Sequence, residues 1–351
     1  MLNEIGIVHP IIQAPMAGVS TPALAAAVSN GGGLGSIGIG ASNVADARKA
    51  IEATRALTGR PFNVNVFCHQ PPQRNVDIET AWLTHLAPLF VEFDAERPLE
   101  LQEIYRSFLD DYEAMRMLLE TRPAVVSFHF GVPARARIAA FREAGIKTMA
   151  TATSFEEADR IADAGVDMIV AQGVEAGGHR GVFDPEASDE RLTTSVLTRL
   201  LVRHGTLPVV AAGGIMDGSG IRSVLDLGAV AAQLGTAFIL CAESAANENY
   251  RTILRSPRSG ATRLTSVISG RPARGIVNRF MEYGEVAGSP GPAAYPLAYD
   301  AAKRLHAAAT KRGVEEFAAH WAGQGASLAR EMSASELLKT LVREYAAENR
   351  I

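Results

Sequence analysis

The stretch PVVAAGGIMDGSGIRSVLDLGAVAAQLGTAF (208–238) decides the fold, because it contains one complete strand–helix–strand unit. Two short apolar runs, PVVAAGG (208–214) and AVAAQLGTAF (229–238), flank a segment at 217–227 whose apolar residues have helical spacing. Both runs are continuous rather than alternating, which is typical of parallel strands that are buried on both faces. The stretch therefore predicts two neighbouring parallel strands that are joined by a crossover helix.

The same unit recurs from the start of the chain, so that eight apolar runs alternate with helical segments. Further helices fit at 134–144, 155–164 and 190–204. Eight alternations favour a (β/α)8 TIM barrel of the α/β class over an open sheet, which the pattern by itself leaves possible. The six earlier runs are IIQAPM (11–16), GLGSIGIG (33–40), FNVNVF (62–67), AVVSFHF (124–130), KTMATAT (147–153) and MIVAQG (168–173).

Two segments do not fit the repeating unit. Residues 68–122 contain WLTHLAPLFVEF and IYRSFLDDYEAMRMLLE, which predict a helical insertion after strand 3. Residues 246–351 follow the eighth strand and predict a mostly helical C-terminal extension. We expect a barrel over 1–245 and an extension that covers its active-site face, with the insertion acting either as a moving lid or as a fixed buttress.

Composition and charge narrow the class of partner. The net charge of the 351-residue chain is −4, which gives no electrostatic reason to expect nucleic acid or an anionic membrane as a partner. Cys68 and Cys241 lie far apart without metal-ligand spacing, which favours a reducing compartment and no metal site. No secretory leader and no run of about 18 apolar residues is visible. We expect a cytoplasmic enzyme with small-molecule partners, as a monomer or a homodimer.

Glycines follow the last two strands, where barrel enzymes commonly bind phosphate. Gly213 and Gly214 end strand 7, and QLGT (233–236) ends strand 8 and leads into a short helix. Phosphate oxygens need backbone N–H donors at close range, and a side chain would hold the chain away. Because no GxGxxG fingerprint and no P-loop occurs in the sequence, we predict a mononucleotide as the bound ligand.

The segment EAGGHRG (175–181) after strand 6 holds the principal candidate for catalysis, His179. Flanking glycines place it on exposed, flexible backbone, and its ordinary pKa near neutrality suits a base, an acid or an electrostatic stabiliser. The alternative is a histidine of a surface loop without function. We interpret Glu175 and Arg180 as supports rather than catalysts.

Other histidines have weaker claims. His129, in SFHFG at the end of strand 4, could line the pocket or fill the barrel interior, and the sequence leaves both open. His69 lies near the end of strand 3. The remaining histidines fall on helices or flanks, and we interpret them as structural or solvated: His9, His85, His204, His306 and His320.

Several of these motifs resemble those of a known family. PIIQAPMAG, FNVN, AQGVEAGGHRG, AAGGI and QLGTAF, in this order and spacing, resemble the nitronate monooxygenases, formerly called 2-nitropropane dioxygenases. The similarity covers about residues 5–245, and AYPLAYDAAK and WAGQG in the tail resemble motifs of the class I members.

The resemblance implies the cofactor, the site and the reaction. It implies non-covalent FMN, His179 as the catalytic residue, and a reaction in which an alkyl nitronate is oxidised by O2 to a carbonyl compound and nitrite. Propionate 3-nitronate, a toxic metabolite, is the substrate that the resemblance favours, so detoxification is the implied role. Its carboxylate needs a cationic or tyrosine partner, and we expect Lys303 with Tyr299 to bind it. The implied cofactor contacts are Met16, Asn65, Gln172, Gly177, Gly214, Gln233, Gly235 and Thr236. The resemblance also implies that Tyr295, Tyr299 and Lys303 border the substrate site, to which we add His129 as a candidate from its place at the end of strand 4.

Two other functions remain open at this stage. NAD(P)H-dependent quinone reductases and enoyl-acyl-carrier-protein reductases share the barrel and the FMN motifs, although the tail motifs fit the nitronate enzymes better. A non-catalytic flavin- or phosphate-binding barrel is the second alternative. The Gly-Gly-His sequence, together with a complete set of cofactor contacts, argues against it.

Overall fold

Eight short parallel strands form the centre of the molecule. A computed structural model describes residues 2–205 and 207–347. The central strands are β1 (Ile11–Gln13), β2 (Gly35–Gly38), β3 (Phe62–Phe67), β4 (Val125–His129), β5 (Lys147–Ala152), β6 (Met168–Gln172), β8 (Val209–Ala212) and β9 (Ala231–Leu234). The short strand β7 (Gly178–His179) belongs to a separate sheet, so β8 and β9 are the predicted strands 7 and 8. Their order in the sheet is β1-β9-β8-β6-β5-β4-β3-β2.

The sheet closes on itself between its first two strands. Ile12 of β1 forms a parallel bridge with Leu34, and the Gln13 N–H donates to the Leu34 carbonyl at 2.9 Å. Inside the ring, buried apolar side chains such as Met149, Met168 and Val210 pack in one cluster. The predicted TIM barrel is therefore confirmed, with a packed interior rather than a pore.

Helices surround the barrel and begin at residues with capping chemistry. Thr21 accepts a hydrogen bond from the Leu24 N–H at 3.0 Å, and Pro22 occupies the first helical position. The outer helices are α2 (Pro22–Asn30), α3 (Val44–Leu57), α5 (Tyr112–Thr121), α6 (Arg135–Glu143), α7 (Phe155–Ala164), α8 (Thr194–His204), α9 (Gly218–Asp226) and α13 (Ala334–Ala347). The others are α1 (Leu2–Ile5), α4 (Val76–Glu92), α10 (Glu248–Arg255), α11 (Arg279–Gly284) and α12 (Leu297–Lys311).

The insertion after β3 is less helical than the sequence predicts. α4 packs against α12 through buried side chains such as Trp82 and Phe90. Residues 93–111 form turns and irregular backbone, where the Phe108 N–H donates to the Phe67 carbonyl at 2.8 Å. The helical pattern of 104–111 is overridden, because the backbone here is bound to the carbonyl of Phe67, the last residue of β3, before Asp111 caps α5. α5 itself packs against α3, in the outer layer of the barrel.

The C-terminal segment contributes to two different places. β10 (Thr262–Thr265) and β11 (Ala273–Ile276) form an antiparallel sheet with β7 (Gly178–His179), which the sequence did not predict. α13 instead packs against α2 and α9, beside the barrel wall. The division into a barrel and an extension at residue 245 stays a prediction. Over residues 2–205 and 207–347, no helix combines the length and the apolar character needed to cross a membrane.

Candidate active site

One large cavity lies at the carboxyl ends of the barrel strands. Its volume is about 690 Å³, and residues from the barrel loops and from the C-terminal segment line it together. All thirteen candidate site residues line this cavity: Met16, Asn65, His129, Gln172, Gly177, His179, Gly214, Gln233, Gly235, Thr236, Tyr295, Tyr299 and Lys303. The structure thus brings them together, whereas the individual role of each stays a prediction.

The glycines after β8 and β9 form an open cradle on one side of the cavity. Gly214 has a φ of +68°, a conformation that favours glycine. In the part of the chain that the structure describes, the N–H groups of Gly214 and Gly235 bind no other protein group. A Cβ at Gly235 would meet only the Ala14 Cβ at 3.4 Å and the Met16 Sδ at 3.7 Å. These groups fit a phosphate, which needs close backbone donors and no intervening side chain.

Polar side chains deeper in the barrel are held in place by their neighbours. The Asn65 Nδ2 donates to the Ser127 hydroxyl at 2.9 Å, and the Gln172 Nε2 donates to the His179 carbonyl at 2.9 Å. The Gln172 Oε1 in turn accepts from the Gly181 N–H at 2.8 Å. Gln172 therefore fixes the backbone on both sides of Arg180, directly after His179, as well as facing the cavity.

His179 does not sit on free, flexible backbone, and that prediction is wrong. Its backbone belongs to β7 and pairs with Ala273 of β11, a partner that no local pattern could reveal. Four aromatic rings surround the half-buried imidazole, with centroid distances of 5.5 Å to Phe130 and Tyr295, 6.1 Å to Tyr299 and 5.2 Å to Trp321. Burial and, to a smaller extent, the basic neighbours His129, Arg271 and His69 lower the pKa of His179 to about 3.

His129 lines the cavity, which answers the question that the sequence left open. Its Nδ1 lies 3.0 Å from the Thr151 hydroxyl, and its Nε2 lies 3.2 Å from the His179 carbonyl oxygen. Because a carbonyl can only accept, Nε2 carries the proton and Nδ1 accepts from Thr151. Burial lowers the pKa of His129 to about 4. Both ring nitrogens of His129 thus form hydrogen bonds within the protein.

Glu175 and Arg180 hold the loop, as the sequence suggested. The Glu175 carboxylate accepts from the Thr194 N–H at 2.8 Å, at the start of α8. α8 begins at Thr194 rather than at the predicted residue 190, because the Thr193 side chain caps it by accepting from the Val196 N–H at 3.3 Å. The buried Arg180 guanidinium pairs with Asp189 at 2.8 Å and donates to the Gln172 carbonyl at 2.8 Å.

A cation and three phenols line the opposite side of the cavity. The Lys303 Nζ lies 4.9 Å from the centre of the Tyr105 ring and 5.4 Å from that of Tyr299. Within residues 2–205 and 207–347, no carboxylate pairs with this ammonium group. Burial raises the pKa of Tyr105 and Tyr299 to about 12 and also raises that of Tyr295 well above its usual value, so all three hydroxyls remain protonated donors. This side of the cavity suits an anionic group.

Several lining residues escaped the sequence analysis. Tyr105 lies in the irregular part of the insertion and Trp321 in the loop after α12, where no local signal marks them. His306 and His320 also line the cavity, although we interpreted them as structural or solvated. Burial lowers the pKa of His320 to about 4. Their place depends on how the C-terminal segment folds back over the barrel.

Comparison with known proteins agrees with this geometry. The family model for nitronate monooxygenase matches residues 1–344. A nitronate monooxygenase of Paraburkholderia phytofirmans is 56% identical over 98% of this chain and 94% of its own length. One from Pseudomonas aeruginosa is 57% identical over 97% of each chain.

Solved structures show the same architecture. A nitroalkane oxidase from Streptomyces ansochromogenes superposes with a TM-score of 0.91 at 41% identity, over 99% of each chain. FabK from Thermotoga maritima gives a TM-score of 0.74 at 28% identity, over 99% of this chain and 96% of its own. With a family match over nearly the whole length and a cavity that gathers the family's motifs, the chain is an oxidoreductase that belongs to the nitronate monooxygenase family.

Proposed function

We propose that this chain binds FMN and oxidises alkyl nitronates with O2 to a carbonyl compound and nitrite. The observation that carries the proposal is the convergence of a glycine cradle, an aromatic-walled histidine and an unpaired lysine on one cavity. The relatives named nitronate monooxygenase and nitroalkane oxidase support this choice of substrate class. When bound, FMN supplies the electron transfer, and the protein supplies binding, orientation and electrostatics.

The residues divide into two groups in this proposal. Gly214, Gly235 and Thr236 would hold the FMN phosphate, while Met16, Asn65, Gln172, Gly177 and Gln233 would contact the rest of the cofactor. The Gln233 amide makes no hydrogen bond in the described part of the chain, so its donors and acceptor are available to a ligand. The aromatic rings around His179 would exclude water from the reacting carbon.

We propose propionate 3-nitronate as the preferred substrate, and removal of this toxic anion as the role. It carries a carboxylate in addition to the nitronate group, and the unpaired Lys303 ammonium beside the Tyr299 ring offers a partner for it. A nitronate is already deprotonated at carbon. A neutral nitroalkane must first lose a proton, for which the neutral His179 is the candidate base.

One anaerobic experiment separates this function from its alternatives. The FMN-loaded protein is mixed with propionate 3-nitronate or, separately, with NADH, and the flavin absorbance is followed before O2 is admitted and nitrite is measured. We expect rapid bleaching by the nitronate and slow or no bleaching by NADH. Efficient bleaching by NADH without any response to nitronate would instead support a reductase. A protein that does not bind FMN would contradict the cofactor assignment.

The cradle can be tested at Gly235. Gly235→Ala adds a methyl group that the protein tolerates, since its nearest contacts would be 3.4 and 3.7 Å away, but that crowds a phosphate at the same place. We expect FMN affinity to fall about tenfold or more, with an unchanged melting temperature of the FMN-free protein. FMN binding is measured by fluorescence titration.

The control for this variant is Gly59→Ala. Gly59 is exposed, and a Cβ there would meet no atom within 4 Å. Its FMN affinity should equal that of the parent. Parent-like FMN affinity in Gly235→Ala would remove Gly235 from the cofactor site.

A further inference from the structure

The turn formed by Ser269, Gly270 and Arg271 lies directly behind His179. The Ser269 hydroxyl is 2.9 Å from the His179 Nε2, and Ser269 is fully buried. Gly270 has a φ of +84°, and a Cβ there would lie 2.2 Å from the Ala293 carbonyl oxygen. Only glycine fits this turn, so the serine is held against the imidazole by tightly packed backbone.

The other contacts of Ser269 determine which atom carries the proton. A serine hydroxyl has one proton and two lone pairs. The Ser269 Oγ lies 3.0 Å from the Arg271 carbonyl oxygen, which can only accept, so the hydroxyl donates there. The Arg271 N–H donates to the same Oγ at 3.3 Å. The remaining contact, with His179, is then one in which the Nε2–H of the imidazole donates to the serine.

The reverse arrangement leaves more groups unpaired. If Ser269 donated to Nε2, the Arg271 carbonyl would lose its hydroxyl partner and the ring proton would move to Nδ1. In the described residues, Nδ1 of His179 has no hydrogen-bond acceptor. A buried carbonyl that loses its partner is unfavourable, so the Nε2–H form, which keeps the Arg271 carbonyl hydrogen-bonded, is preferred. The low pKa of His179, about 3, means that the ring carries only this one proton at ordinary pH.

We propose that Ser269 is a positioning residue that fixes the Nε2–H tautomer of His179 and so makes Nδ1 the base for neutral nitroalkanes. The inference rests on the proposed function. In the step it describes, the α C–H bond breaks, the proton passes to Nδ1, and the electron pair moves onto the nitro group. The product is the nitronate that the proposed reaction consumes, and the transfer itself needs no oxidant.

The kinetic test uses two substrates that differ only by this proton. Nitroethane and ethyl nitronate are given separately to the FMN-loaded parent and to Ser269→Ala. We expect nitroethane turnover to fall about tenfold, because one hydrogen bond no longer selects the tautomer. Ethyl nitronate turnover should stay close to that of the parent. Equal losses on both substrates would indicate a merely structural serine and would overturn the proposal.

A matched control is Ser259→Ala. Ser259 is also buried, and its hydroxyl donates to the Ser256 carbonyl at 2.8 Å, but it contacts neither the cavity nor His179. Both substrates should be turned over by this variant as by the parent. A selective loss of nitroethane turnover in Ser259→Ala would overturn the assignment to Ser269.

The tautomer of His179 can also be measured directly, without an activity assay. ¹⁵N NMR of histidine-labelled protein reports which ring nitrogen is protonated, and His179→Asn identifies the signal by its loss. We expect protonated Nε2 and unprotonated Nδ1 in the parent and a mixture in Ser269→Ala. Protonated Nδ1 in the parent would overturn the proposal.

Failure of the inference and failure of the proposed function give different results. A parent that oxidises ethyl nitronate but not nitroethane overturns Nδ1 as a base and leaves nitronate oxidation intact. A parent that oxidises neither rejects the proposed function, and with it the base role of Nδ1.

Discussion

Replacement of His179 by asparagine is expected to slow nitroethane oxidation by about 10²- to 10⁴-fold while FMN stays bound. Asparagine has a similar reach and can still donate to Ser269, but it has no basic nitrogen to receive the α-proton. Ethyl nitronate needs no such transfer, so its turnover should fall far less. A larger loss of turnover on nitroethane than on ethyl nitronate separates the loss of the base from any change in how the aromatic rings pack around residue 179.

The measurement is steady-state nitrite release, with the bound flavin quantified in the same preparations. His204→Asn serves as the control, because His204 lies on α8 and pairs with Asp159 at 2.9 Å on the surface. That variant should behave as the parent on both substrates. Undiminished nitroethane turnover in His179→Asn would show that another group removes the proton.

Replacement of Lys303 by methionine should raise the KM for propionate 3-nitronate by about 10- to 100-fold, with little change for ethyl nitronate. Methionine keeps a long apolar stem against the Tyr105 and Tyr299 rings but removes the charge. A charge-assisted contact to the substrate carboxylate is lost, whereas a substrate without that carboxylate has nothing to lose. The effect should therefore appear on one substrate only.

Lys311→Met is the matched control for this prediction. Lys311 lies on the same helix, α12, and is exposed like Lys303, but it does not line the cavity. Its KM values for both nitronates should equal those of the parent. An equal rise in KM for both substrates in Lys303→Met would argue against carboxylate recognition and for a general role in closing the cavity.

Much of the site could be located from the sequence because the barrel fold brings the carboxyl ends of its strands together. Residues that follow successive parallel strands meet at one end of the barrel whatever the loops contain. Gly214 after β8 and Gly235 after β9 were therefore placed together by counting strands, and so were Asn65 and His179. The tail residues Tyr295 and Lys303 were placed through the family resemblance instead.

Other features followed no rule of sequence spacing. Tyr105 lines the cavity because irregular backbone of the insertion is hydrogen-bonded to the end of β3. His320, interpreted as structural or solvated, is buried beside the cavity because the segment after α12 returns across the barrel end. Each position depends on packing between distant segments, which periodicity does not encode.

The sequence by itself determined the eight central strands, their parallel direction and the strand ends where ligands bind. Continuous apolar runs of this length are typical of parallel strands that are buried on both faces, and glycines mark where backbone approaches a ligand. Only the tertiary structure decided what His179 can do. Its strand pairing with Ala273 and its bond to Ser269 join residues 90 or more positions apart, and three of its four aromatic walls come from the C-terminal segment. Such contacts arise from the packing of a hairpin onto the barrel loops, and they set the tautomer and the pKa of the histidine.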